Sequence, residues 1–209
     1  MKQKTSEKVR IPKQRRSIER KERIMVTARH LFAQKGYHAV NSNQITAEAG
    51  VPVGSFYSYF KDKKSLLLEI LASFQEQFKG RIFRKVKTEE LNGLELKEII
   101  RHYVISTFKA FELSPGVLKV TYPMRYYDSE VNDIFVEADE NEIKLISELL
   151  DTLEDKIEIE DKEAAVLVIH SAIANVAHRS KILRLNMAEN RLINELTNMI
   201  FNYLRKTHD

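Results

Sequence analysis

Apolar residues return at spacings of three and four along nearly all of this chain, and little interrupts them. That spacing lines up one face of an α-helix, whereas a half-buried strand alternates every second residue. The clearest run is Leu96, Ile99, Ile100, Tyr103, Val104, Thr107, Phe108 and Phe111. Six glycines and four prolines are all that 209 residues contain, and most fall between periodic runs, where helices stop. The best strand candidate, Val117 to Tyr122, would have no strand to pair with, so it reads as a short helix or turn. The pattern predicts an all-α fold of about nine helices.

The ends of several helices are readable. One runs from about Ser17, an expected N-cap, to Lys35, with Gly36 stopping it. A short one covers about Ser42 to Ala49, and Asn41 with Gln44 three residues on has the form of a capping box. The next covers about Val53 to Tyr59, and another starts near Lys61 with Leu67, Ile70, Leu71, Phe74 and Phe78 inward. Ser114-Pro115-Gly116 reads as a turn. Longer helices follow from Asp128 or Ser129, over about 162–185 and over about 188–206.

Charge is unevenly placed. The net charge is +4, but residues 1–64 hold 15 Lys and Arg against 5 Asp and Glu, which leaves the remainder at −6. A basic head on an acidic body points to a polyanion partner for the head. Within it, residues 1–16 carry seven basic residues and no periodicity, so they are expected to be a disordered arm. The chain has no cysteine, which excludes disulfides and thiolate metal sites and fits a cytoplasmic protein. No apolar run approaches a membrane span, and no apolar segment follows the basic N-terminus as a secretory signal requires.

The most informative stretch is Gly36 to Leu67, GYHAVNSNQITAEAGVPVGSFYSYFKDKKSLL. Two short helices joined by Ala49-Gly50-Val51 make a helix-turn-helix, with Gly50 at the sharp turn. Ile45, Ala49, Val51, Phe56 and Phe60 are spaced to form a small core. The second helix carries Ser55, Tyr57, Ser58 and Tyr59 and has the size to enter a major groove. Tyr57 and Tyr59 cannot both point inward from a helix that already buries Phe56 and Phe60.

Here the chain resembles the TetR family of bacterial regulators, through Gly36, Tyr37, Ile45, Ala49, Gly50, Val51, Gly54, Phe56, Tyr57, Tyr59, Phe60, Lys63 and Leu66. The likeness covers about 50 residues. It implies an N-terminal three-helix DNA-binding domain over 17–62 and a helical ligand-binding and dimerisation domain over 63–209. It implies that Tyr57, Tyr59 and Lys63 meet phosphates and that Gly54 lets the backbone approach DNA closely. Asn43, Gln44, Val53, Ser55 and Ser58 are candidates for base edges or nearby phosphates. Three positions depart from the family pattern. Pro52 stands where a hydroxyl usually caps the second helix, Val53 replaces a frequent Lys or polar residue, and Thr46 replaces the usual small alanine, a change expected to shift the first helix of the motif slightly.

A ligand-responsive body is likewise implied by the resemblance alone. Tyr103, Thr107, Phe111, Tyr122, Met124, Tyr126, Phe135, His170 and Asn175 offer apolar walls with a few polar groups. His170 and His178 lie two turns apart without a clear third ligand, so no metal is expected, and no cofactor. The last two helices suggest a homodimer. Ala164 to Ile169 is apolar all round, and Ile169, Ile173, Val176, Ile193, Leu196, Ile200 and Leu204 are expected in a four-helix contact between two copies. The expected partners are therefore operator DNA, a second copy and an unidentified small-molecule effector. The expected function is a repressor released from a palindromic operator by that effector, with an activator or nucleoid-associated protein on the same fold as the alternative. A helical carrier or enzyme has less support, because no nucleophile–base pair, phosphate loop or metal-ligand set is present.

Overall fold

A computed structural model of the chain describes residues 15–86, 93–183 and 185–206. Among these residues the secondary structure is helical. The helices are α1 (Arg15–Lys35), α2 (Ser42–Glu48), α3 (Val53–Tyr59), α4 (Lys63–Val86), α5 (Leu96–Phe111), α6 (Pro115–Met124), α7 (Ser129–Asp151), α8 (Lys162–Lys181) and α9 (Glu189–Leu204). The one β-type pairing among them is an isolated bridge between Ile157 and Arg205. The expected basic arm over 1–16 lies outside the described residues except for Arg15 and Arg16, which open α1.

Local sequence explains most helix ends. Asn41 caps α2 as expected. Its side chain accepts from the Gln44 N–H at 2.9 Å, and Gln44 Oε1 accepts from the Asn41 N–H at 3.0 Å. Asp161 caps α8 by accepting from the Ala164 N–H at 3.0 Å. Gly50 sits at φ 64° between α2 and α3, a backbone region that excludes most side chains. Two expectations are corrected. Ser17 lies inside α1, where it cannot act as its N-cap. Pro115 and Gly116 open α6 instead of forming a turn, since proline's fixed φ suits the first helical position.

The chain divides into two compact units. One comprises residues 1–73 and 116–131; the other comprises 74–115 and 132–209. The core of the first is built from Ile24, Leu31, Ile45, Phe56, Phe60, Leu66, Leu67, Ile70 and Leu71, all 0–1% exposed. α6 packs there without clearance, since a Cβ on Gly116 would stand 2.5 Å from the Ala33 Cβ. In the second unit α5 packs against both α8 and α9.

That packing decides which faces of the last two helices stay open. Ile169, Ile173, Ile193, Leu196, Ile200 and Leu204 are buried inside their own unit, and Val176 is half-buried. The apolar side chains that α8 and α9 leave in solvent are Leu167, Val168, Met199 and Tyr203, each 50–59% exposed. The all-round apolar run Ala164 to Ile169 is thus covered on one side and open on the other within one chain.

Candidate DNA-binding surface

The geometry of the helix-turn-helix follows from which residues α1, α2 and α3 bury. Ile45 and Phe56 are fully buried, Phe60 nearly so, and Ala49 and Val51 are buried with them. Thr46 is also buried. Its hydroxyl donates to the Ser42 carbonyl at 2.9 Å and contacts the Asn43 carbonyl at 3.1 Å, which satisfies it where an alanine would need nothing. Pro52 supplies no side-chain cap to α3, but its carbonyl accepts from the Ser55 N–H at 2.8 Å.

With that core filled, one side of α2 and α3 faces outward. Asn43, Gln44, Val53, Gly54, Tyr57 and Ser58 are exposed and Ser55 is half-buried. Gln44 is tied to the α2 cap. The Ser58 hydroxyl donates to the Gly54 carbonyl at 2.9 Å. The Tyr57 hydroxyl lies 3.1 Å from that of Ser42, which links α3 to α2 at the surface. Gly54 has an ordinary helical backbone, and a Cβ added there would meet nothing within 4 Å. The chain's own packing therefore gives no reason for a glycine, which is a poor helix former.

Two residues paired with these in the sequence are placed differently. Tyr59 is 6% exposed and its hydroxyl lies 2.9 Å from the Ser17 hydroxyl, so it ties α3 to the start of α1. Lys63 is turned inward. Its ammonium donates to the carbonyls of Tyr37 and Val40, each at 2.7 Å, and lies 4.2 Å from the centre of the Tyr37 ring. Burial pushes the Lys63 ammonium below its ordinary pKa and the Tyr37 phenol above its own. In this structure Lys63 staples the α1–α2 connection to the start of α4.

The exposed cations around the motif are Arg15, Arg16, Arg20 and Arg23 on α1, with Lys61 before α4. Sequence reasoning counted their charge but did not assign them to the surface. Their concentration in the first three turns of α1 was the available signal. Lys64 pairs with Glu130 at 2.5 Å and Asp128 at 3.0 Å, and these bonds push its pKa up to about 12.

The nine expected ligand residues are split between the units. Tyr122, Met124 and Tyr126 belong to the first, where Met124 is buried and Tyr126 is 79% exposed. Tyr103, Thr107, Phe111, Phe135 and His170 are buried in the second, and Asn175 is exposed there. The second unit contains a small apolar cavity of about 30 Å³, partly open to solvent, between α5, α7, α8 and α9. Of the nine, only Tyr103 lines it. Among the described residues no group of three or more His, Asp or Glu is placed to hold a metal, and no helix is long and apolar enough to cross a membrane.

Residues 24–70 match the family described as bacterial regulatory proteins, tetR family. The chain is 38% identical over 95 residues to the uncharacterised HTH-type transcriptional regulator YerO of Bacillus subtilis, covering 44% of this chain and 32% of that one. It is 27% identical over 101 residues to the HTH-type transcriptional repressor KstR2 of Rhodococcus jostii, covering 48% of each. The chain thus spans about a third to a half of the length of these relatives. In fold it is similar to a protein of Saccharomonospora viridis described as a transcriptional regulator and solved in complex with choline. The TM-score is 0.71 at 18% identity, over 91% of this chain and all of that one.

Proposed function

We propose that the chain, whose residues 24–70 match the bacterial tetR family of regulatory proteins, is a dimeric repressor that leaves a palindromic operator when a small molecule binds its second unit. The observation that carries DNA binding is the outward side of α3. Val53, Gly54, Tyr57 and Ser58 are exposed together, and Gly54 has no neighbour that requires a glycine. A glycine without an internal reason fits a backbone that must come close to something outside the chain. Tyr57 offers a phosphate its hydroxyl, Val53 offers a thymine its methyls, and Asn43 offers an adenine its amide. The four exposed arginines of α1 add charge that positions the protein without reading sequence.

Repression is favoured by the relative named as a repressor, and an effector by the fold neighbour that holds a small molecule. A second copy would cover Leu167, Val168, Met199 and Tyr203. Selection of bound fragments from the source genome, followed by footprinting over a range of salt, tests the reading. The expected result is an inverted repeat overlapping a promoter, with affinity falling linearly in log salt. Salt-insensitive binding, or none to any fragment, overturns it.

A further inference from the structure

The groove where the end of α1 meets α6 carries charge of one sign over an apolar floor. It lies within the first unit, holds about 380 Å³ and is open to solvent. Phe32 and Met124, both buried, form its floor. Gly36, at φ 81°, ends α1 and turns the chain, so that Tyr37 and His38 stand beside the last turn of the helix. The Tyr37 ring meets Phe32 and His38 edge-on, at 5.3 and 5.2 Å between ring centres, and makes a fixed wall. Tyr127 lines the groove from just beyond α6. Its N–H donates to the Met124 carbonyl at 3.1 Å, yet the residue is 68% exposed.

Lys35, His38 and Lys119 complete the lining, and no lining residue is acidic. Neither lysine has an acidic partner among the described residues. Asp128, next to Tyr127 in sequence, is already engaged by Lys64 and by the Val131 N–H. The carbonyl end of α1 opposes an anion here, but Lys63 sets a further ammonium 4.2 Å from the centre of the Tyr37 ring. The groove between α5 and α9, of about 460 Å³, is a contrast. There Lys97 and Arg101 are matched by Glu98 and Glu195, and Arg101 donates to Asn194, so neither sign of charge is favoured. In the groove at α1 and α6, cations around a concave apolar floor concentrate a positive potential. Its aromatic walls accept the face or edge of another ring.

We propose that the first unit carries a small-molecule site of its own, in the groove between α1 and α6, for a flat aromatic carboxylate. The ring lies over Phe32 and Met124 beside Tyr37 and Tyr127, and the Lys35 and Lys119 ammoniums donate to the carboxylate. The volume suits a molecule of one or two rings. Bound there, it touches both α1 and α6, the helices that meet without clearance at Ala33 and Gly116, and holds them together. The site is separate from the effector binding proposed for the second unit and does not depend on it.

Three probes that share a ring system and differ at the head test the assignment: 2-naphthoate, 2-naphthamide and 2-naphthylmethylammonium. Each is titrated calorimetrically into the full-length protein at about pH 7, where the lysines are charged. Naphthoate should bind at least about tenfold more tightly than the amide, the effect of one charge-assisted hydrogen bond, and the ammonium should bind weakest. Lys35→Gln combined with Lys119→Gln should bring naphthoate down to the level of the amide. Both side chains are exposed, so the variant keeps its fold. Tyr127→Ala, also at an exposed position, should weaken acid and amide alike. The slope of log affinity against log salt on a mixed-sequence duplex should not change in the double lysine variant. No binding of naphthoate at millimolar concentration, acid and amide bound alike, or a preference that survives loss of both lysines overturns the proposal. Acid and amide bound alike, together with a salt slope lowered by about one in the double variant, would give these lysines to DNA phosphates instead.

Discussion

At the scale of single residues, three side chains near the helix-turn-helix answer different questions. Gly54→Ala should raise helix stability by up to about 1 kcal/mol, because the new methyl meets nothing inside the chain. It should still weaken operator binding by about tenfold, or ~1.4 kcal/mol. Thermal melts beside anisotropy titrations separate the two effects, and unchanged affinity would remove Gly54 from the contact surface. Lys63→Ala should behave in the opposite way. Its two carbonyl acceptors lose their partner, so stability should fall by on the order of 1 kcal/mol, discounted for its partial exposure. Glu142 gives a pH signature. Its carboxyl pKa is raised by burial, so its contribution to stability is fullest in acid and is lost as pH rises through that raised value. Glu142→Gln should flatten this part of the stability profile, read as denaturation midpoints between about pH 4 and pH 8.

At the scale of helices, periodicity made the elements legible but not their neighbours. The bounds of α3 and the capping box of α2 follow from short-range chemistry, and both are found where the sequence puts them. Tyr57 and Tyr59 stand two residues apart, about 200° around a helix, so one had to face inward. The apolar core around Phe56 did not say which. The inward turn of Lys63 depends on carbonyls 23 and 26 residues away, which no local pattern reveals. The same limit applies to α9. A repeat of Ile193, Leu196, Ile200 and Leu204 says that a stripe is covered, and here α5 of the same chain packs on that helix. Ile200→Glu should therefore unfold the second unit by several kcal/mol instead of merely separating subunits. Gly116→Ala should cost about 1–3 kcal/mol, since its methyl collides with Ala33 in a packed helix pair. A variant as stable as the parent would show that α6 has room to shift.

At the scale of the whole molecule, two properties combine. Charge is concentrated in the head, where residues 1–64 carry 15 basic against 5 acidic side chains. The large apolar side chains of α8 and α9 that one chain leaves open are Leu167 and Val168 on α8 and Met199 and Tyr203 on α9. If that surface joins two copies, an operator is gripped by two basic heads at once. The second head then binds as an intramolecular event, and the salt slope counts the phosphates under both. Replacing Leu167 and Val168 together with Glu tests this without touching a buried side chain, because both are more than half exposed. Two carboxylates placed in an apolar contact between copies would lose their water, so the pairing should fail while the monomer keeps its fold. Sedimentation should then show a folded monomer. Its slope of log affinity against log salt on the palindrome should be about half that of the parent, as one head releases about half the counterions. A variant that stays dimeric would move the interface away from α8, and a monomer with the full parental slope would show that one head covers the whole operator.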